Sequence, residues 1–120
     1  MLVVDGANVV GSRPDGWWRD RPGAAGRLWR RLTTAALPYE EVVLVLEGAA
    51  RPGVPAGPAA GVLTVHAPGS GDDTIVETAR SRTVDGHDVT VVTADRGLAK
   101  RLHDVGAGTT GSSTLLDRLR

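Results

Sequence analysis

No cysteine occurs among the 120 residues, which excludes disulfides, thiolate zinc sites and a cysteine nucleophile and fits a reducing compartment. No apolar stretch approaches the ~20 residues needed to span a bilayer. An apolar strand that begins at Leu2 leaves no room for the charged and apolar regions of a secretory signal. The sequence therefore reads as cytoplasmic, with no membrane partner. Net charge is also missing, since 14 basic residues balance 14 acidic ones, and global charge does not announce a polyanionic partner. There is no phosphate-binding glycine-lysine loop and no nucleophile elbow, and the glycines at 106–111 are loop-like. Lysine is nearly lacking: Lys100 stands alone among arginines in a chain rich in alanine, glycine and valine. Genomic base composition can produce that bias, so arginine enrichment by itself carries no weight.

What is present is a repeated pattern of short apolar runs that end in an acid. Leu2-Val3-Val4 runs into Asp5, Val42 to Leu46 into Glu47, and Val89 to Ala94 into Asp95. Aliphatic, β-branched runs of this length are the signature of strands covered on both faces. In an open parallel sheet all strands end on one edge, where ligands bind, so the acids gather there. A further pair, Asp72-Asp73, follows the loop Ala67-Pro68-Gly69-Ser70-Gly71 and opens a helical stretch.

The chain is long enough for one domain, residues 1–120, which buries about two thirds of the surface exposed on unfolding. Strands are expected at Leu2–Asp5, Val42–Glu47, Val62–Val65 (extending towards His66 and Ala67) and Val89–Thr93, with an edge strand at Ala107–Thr110. Helices are expected at Ala24–Ala36, Asp73–Val84, Gly97–His103 and Ser113–Leu119. In the second of these Val76, Ala79 and Val84 face inward. Gly11 to Gly23, with Arg13-Pro14-Asp15-Gly16 and Arg21-Pro22-Gly23, reads as loop. So does Arg51 to Gly61, which holds three prolines and three glycines. Alternating strands and helices imply an α/β fold: a Rossmann-like, mainly parallel central sheet flanked by helices on both faces.

The acids carry the candidate chemistry. Asp5 with Asn8 three residues later offers a carboxylate and a carboxamide for oxygen ligation of magnesium or manganese, or a local turn cap. Glu47 closes a buried strand, where a carboxylate is costly unless paired or liganded. One aspartate of Asp72-Asp73 suffices to favour a helix start; two repel, and a nearby cation relieves the repulsion. Asp95 either caps the helix that follows or joins Asp5 as a ligand. From Arg13 to Arg31 six arginines stand against two aspartates, interleaved with Trp17, Trp18 and Trp29. Arg13 and Arg96 can hold phosphates, and Trp17 and Trp18 can stack on unpaired bases. Trp29 suits core packing. His66, His87 and His103 lack ligand spacing and read as surface residues.

Val3-Val4-Asp5-Gly6-Ala7-Asn8-Val9, Ser70-Gly71-Asp72-Asp73-Thr74-Ile75-Val76 and Val92-Thr93-Ala94-Asp95-Arg96-Gly97-Leu98, in this order and spacing, resemble an NYN domain of the PIN-like nuclease superfamily across nearly the whole chain. The resemblance implies a magnesium- or manganese-dependent endoribonuclease acting on single-stranded or structured RNA. It assigns metal-centre roles to Asp5, Asp72 or Asp73, and Asp95, with Asn8 nearby and Thr93 beside the last acid. Glu47-Gly48 stands where many relatives carry Asp-Gly, and Ala99 stands where some carry another acid, which points to one metal ion rather than two. A haloacid-dehalogenase-like phosphatase needs a second aspartate where Ala7 stands, and a response-regulator receiver carries its acidic pair after the first strand. The alternative reading is a catalytically inactive PIN-like domain that binds RNA or acts as a scaffold. A protein partner is compatible with any of these readings.

Overall fold

The computed structural model describes residues 1–120 as β1 (Leu2–Asp5), α1 (Gly6–Gly11), α2 (Arg21–Thr34), β2 (Val42–Leu46), β3 (Gly57–Ala59), β4 (Val62–His66), α3 (Gly71–Val84), β5 (Thr90–Val92), α4 (Arg96–Asp104), β6 (Gly108–Thr110) and α5 (Ser112–Arg118). Short 3₁₀ turns cover Trp17–Arg19 and Gly48–Gly53. The strands form one sheet in the order β3-β4-β2-β1-β5-β6. All neighbours are parallel except β3, which pairs antiparallel with β4 at the edge. This is a single Rossmann-like α/β domain.

Strand alternation builds two cores. Leu2, Val4, Leu44, Leu46, Val62 and Val92 face one layer, where Val9, Ala25, Leu28, Leu32 and Leu115 of α1, α2 and α5 cover them. Val3, Val43, Val45 and Val91 face the other, against Ile75 and Ala79 of α3 and Leu98 and Leu102 of α4. A strand buried on both faces has no polar side to show, which is why these segments are continuously aliphatic.

From β1 the chain winds outward through β2 to β4, then returns along α3 to β5 on the opposite side of β1. The reversal beside β1 is the switch point at which open α/β sheets leave a crevice. It lies between the strands that deliver Asp5 and Asp95.

The structure corrects several expectations. Gly6–Gly11 is helical although two glycines, an asparagine and two β-branched valines make a poor helix former. Asp5 caps it and Val9 anchors it in the core. The supposed loop Gly11 to Gly23 holds a 3₁₀ turn and the first turn of α2, capped by Asp20 and opened by Pro22. Proline in a first turn is pre-set for a helix, because its missing N–H has no intrahelical partner there. Arg51 to Gly61 contains the end of another 3₁₀ turn and β3, whose Pro58 is tolerated at a sheet edge. Val84 is 75% exposed rather than inward. His66 is a packing residue, its Nε2 lying 2.7 Å from the Val54 carbonyl.

Candidate active site

Asp5 closes β1 and is 6% exposed. Its Oδ1 accepts from the Asn8 N–H at 3.3 Å and its Oδ2 accepts from the Thr93 hydroxyl at 3.1 Å. The second bond crosses the gap between β1 and the end of β5. Burial pushes the Asp5 carboxyl above the usual range; the two hydrogen bonds oppose that, and the charges of Asp72 and Glu47 reinforce it.

Thr93 is the link between two acids. Its hydroxyl donates to Asp5 while its oxygen accepts from the Asp95 N–H at 3.2 Å. Asp95 in turn caps α4, Oδ1 accepting from the Leu98 N–H at 3.0 Å. Capping and membership of the acidic cluster are therefore not exclusive: a carboxylate has a second oxygen for a second task.

Asp72 and Asp73, adjacent in the first turn of α3, divide. Asp73 turns outward and pairs with Arg101 at 2.9 Å, its side chain 72% exposed. Asp72 is half-buried and forms no ion pair. Burial raises its carboxyl pKa, the charges of Asp95 and Glu47 raise it further, and Arg101 opposes them. Asp72 is thus the member of the pair that shares a field with Asp5, Asp95 and Glu47.

Glu47 spends one oxygen on the fold. Oε2 accepts from the Gly71 N–H at 2.7 Å, satisfying an orphan donor at the start of α3 where the Ser70 side chain makes no cap. Glycine permits the approach: a Cβ at position 71 would lie 2.9 Å from Glu47 Cδ and push that carboxylate aside. Asn8 is similarly fixed: its Oδ1 accepts from the Ala94 N–H at 3.0 Å and from the Ser112 hydroxyl at 2.7 Å. That leaves its amide nitrogen as the donor directed elsewhere.

The structure therefore draws together Asp5, Asn8, Glu47, Asp72, Thr93 and Asp95 and leaves Asp73 outside. Arg96 is exposed at the start of α4, beside Asp95. Trp17 is half-buried and Trp18 is 54% exposed, the rings edge-on at 6.0 Å. Arg13 lies on the α1–α2 side with Arg27 and Arg31. Trp29 packs against the core, its indole nitrogen buried without a partner. Sequence reading did not find Ser112, Arg101 or Gly71. Ser112 lies 104 residues from Asn8 and has no local signal. Gly71 was legible only as a loop residue.

The donor set suits a hard divalent cation, because every group offered at this edge is oxygen. No three acidic or histidine side chains converge into a finished metal cage. Like charges at one edge repel, and three of the carboxylates are additionally held by hydrogen bonds to the fold.

No protein-family model matches this chain, and no curated protein matches it. Among solved structures, it is similar to a mutant form of Rae1 (YacP) from Bacillus subtilis, with a TM-score of 0.75 and 19% sequence identity. The match covers 98% of this chain and 73% of that one. A likeness at this identity establishes the shared fold.

Proposed function

We propose that this chain is a metal-dependent endoribonuclease of the NYN, PIN-like type that hydrolyses RNA phosphodiester bonds at the edge formed by Asp5, Asp72 and Asp95. The observation that carries the reading is the coupling of buried Asp5 to Asp95 through Thr93, with Asp72 raising the Asp5 carboxyl further. Mutually repelling acids at the ligand-binding edge of a sheet are costly to folding and are expected where a cation or a reaction uses them. The resemblance of the three motifs to NYN domains and the Rossmann-like fold support the same reading.

Asp5, Asp72 and Asp95 would hold a magnesium or manganese ion, with Glu47 assisting through its second oxygen. Bound there, such an ion supplies charge neutralisation at the phosphate and a more acidic water. The protein's own contribution is positioning. Thr93 and the Asn8 backbone fix the Asp5 carboxylate, and Ser112 and Ala94 fix the Asn8 amide, whose free N–H atoms point a donor at a phosphate oxygen. A carboxylate accepts the proton of the attacking water, which adds to phosphorus in line with the departing oxygen and leaves a 5′-phosphate and a 3′-hydroxyl. Arg96 binds a flanking phosphate by paired hydrogen bonds.

Cleavage of labelled single-stranded RNA, and of matching DNA, tests the reading, with manganese, magnesium or chelator and with Asp5→Asn beside the parent. Metal-dependent RNA cutting that disappears in the variant is the expected result. A folded protein that binds several RNAs equally with and without divalent ions and cuts none identifies the non-catalytic RNA-binding domain instead.

A further inference from the structure

A second concavity adjoins the acidic edge. It measures about 300 Å³, at the low end of small-molecule sites, and opens between α1, the start of α2 and the turn after β2. Gly6 and Ala7, the two residues between Asp5 and Asn8, form part of its lining, so it begins where the candidate catalytic residues end. One wall is the Trp17 ring, with the Arg21 guanidinium 5.1 Å from its centroid. Val10, Ala25, Leu46 and Ala50 make the rest largely apolar, while Glu47 stands at the acidic side.

The shape and chemistry suit a flat, partly polar ring. An aromatic ring offers stacking that every nucleobase matches, and the Arg21 guanidinium over one face of Trp17 leaves the other face to a base or itself stacks on one. Trp18 does not share this setting, because it is turned outward and lies under Arg19 rather than along the pocket. Beyond Val10 the surface continues into a smaller groove where Arg13, Arg27 and Arg31 outnumber one carboxylate, Asp15. None of Arg13, Arg27 and Arg31 forms an ion pair within the chain, so each is available to a phosphate.

We infer that this pocket receives one unstacked nucleobase of single-stranded RNA next to the scissile phosphate, stacked on Trp17, with the adjoining backbone following the arginines of α1–α2. The inference rests on nucleic acid being the substrate, as proposed above. It assigns Trp17 and Arg21 to base binding and Arg13, Arg27 and Arg31 to the backbone. It also makes the site selective for unpaired strands, since a base held in a duplex cannot enter.

Binding and cutting are measured separately. In chelator, anisotropy of a short fluorescein-labelled single-stranded RNA is followed with the parent, Trp17→Ala and Ala7→Leu, which adds bulk from the exposed rim without touching the core. The same strand carrying abasic sugars is the control. Loss of one stacked base predicts binding about 5- to 150-fold weaker for both variants on ordinary RNA. On abasic RNA parent and variants bind with equal, reduced affinity. Variants that bind ordinary RNA like the parent overturn the pocket, as does an equal loss on abasic RNA or failure of the parent to bind RNA at all. Cleavage of the same strand in manganese reports independently on the nuclease reading. Tryptophan-dependent binding without cutting retains the pocket and removes the nuclease; cutting with tryptophan-independent binding does the reverse. Should Trp17→Ala misfold by circular dichroism, Ala7→Leu alone decides.

Discussion

At the carboxyl edge of the sheet the acids stand beside neutral donors and beside one another, whereas on the outer helical surface three of them pair with an arginine. Asp5 is held by Thr93, Glu47 by the Gly71 N–H and Asp95 by the Leu98 N–H. Outside, Glu77 pairs with Arg80, Asp117 with Arg120 and Asp73 with Arg101. The electrostatic consequences are opposite in sign. The Arg80 hydrogen bond holds the Glu77 carboxyl below its usual range, while burial and neighbouring carboxylates hold Asp5 and Asp72 above theirs. Arg101 offsets part of the charge at Asp72, yet none of the 14 basic side chains forms an ion pair with Asp5, Glu47, Asp72 or Asp95. Charge left largely uncompensated there is what the proposed metal site would use.

Breaking the inner group has the largest expected effect. Asp5→Asn is expected to lower RNA cleavage by ~10²-fold or more, the scale of losing one preorganised charge-stabilising group, as read in single-turnover assays. Asp72 and Asp73 sharpen the contrast at one sequence step. Asp72→Asn is expected to approach the Asp5 variant, while Asp73→Asn stays within about threefold of the parent, as surface changes do. Equal losses in the two would show that the division seen in α3 has no functional meaning. Thr93→Val removes the hydroxyl between Asp5 and Asp95 without adding charge, and is expected to cost ~10- to 100-fold in activity or metal affinity.

Stability should move in the opposite direction to activity. A carboxylate whose pKa is raised in the folded state favours the fold when protonated. Its ionised form therefore destabilises at neutral pH, and the cost disappears as pH falls through the folded pKa towards the ordinary value of 3.8. Asp5→Asn should accordingly melt above the parent at pH 7, and the difference should shrink steadily in melts taken towards pH 4. A difference that grows on acidification would mean that Asp5 is stabilised as a carboxylate. At the outer surface Glu77→Gln, which breaks an exposed pair, should leave the melting temperature nearly unchanged in the same series.

Much of this is legible in the amino-acid sequence. The buried strands announce themselves because a strand covered on both faces must be aliphatic throughout, and each ends at an acid or a turn. Asp5, Asp95 and Glu47 were found for that reason. α1 was not legible, since its helicity comes from the Asp5 cap and the packing of Val9 rather than from propensity. Nor was β3, a proline-bearing edge strand whose pairing exists only once β4 is beside it. The start of α2 was readable in principle from Asp20 and Pro22, but the same residues also signal a turn.

The sequence by itself determined the α/β class, the number of central strands and the presence of acids at their ends, because periodicity and composition are local quantities. Tertiary structure alone decided which acids share a field. Asp72 rather than Asp73 joins Asp5; Glu47 spends an oxygen on Gly71; and Ser112, from the far end of the chain, locks Asn8. Those outcomes depend on strand order and on which side of a helix meets an arginine. Charge interactions follow distance in space, which the order of residues along the chain does not specify.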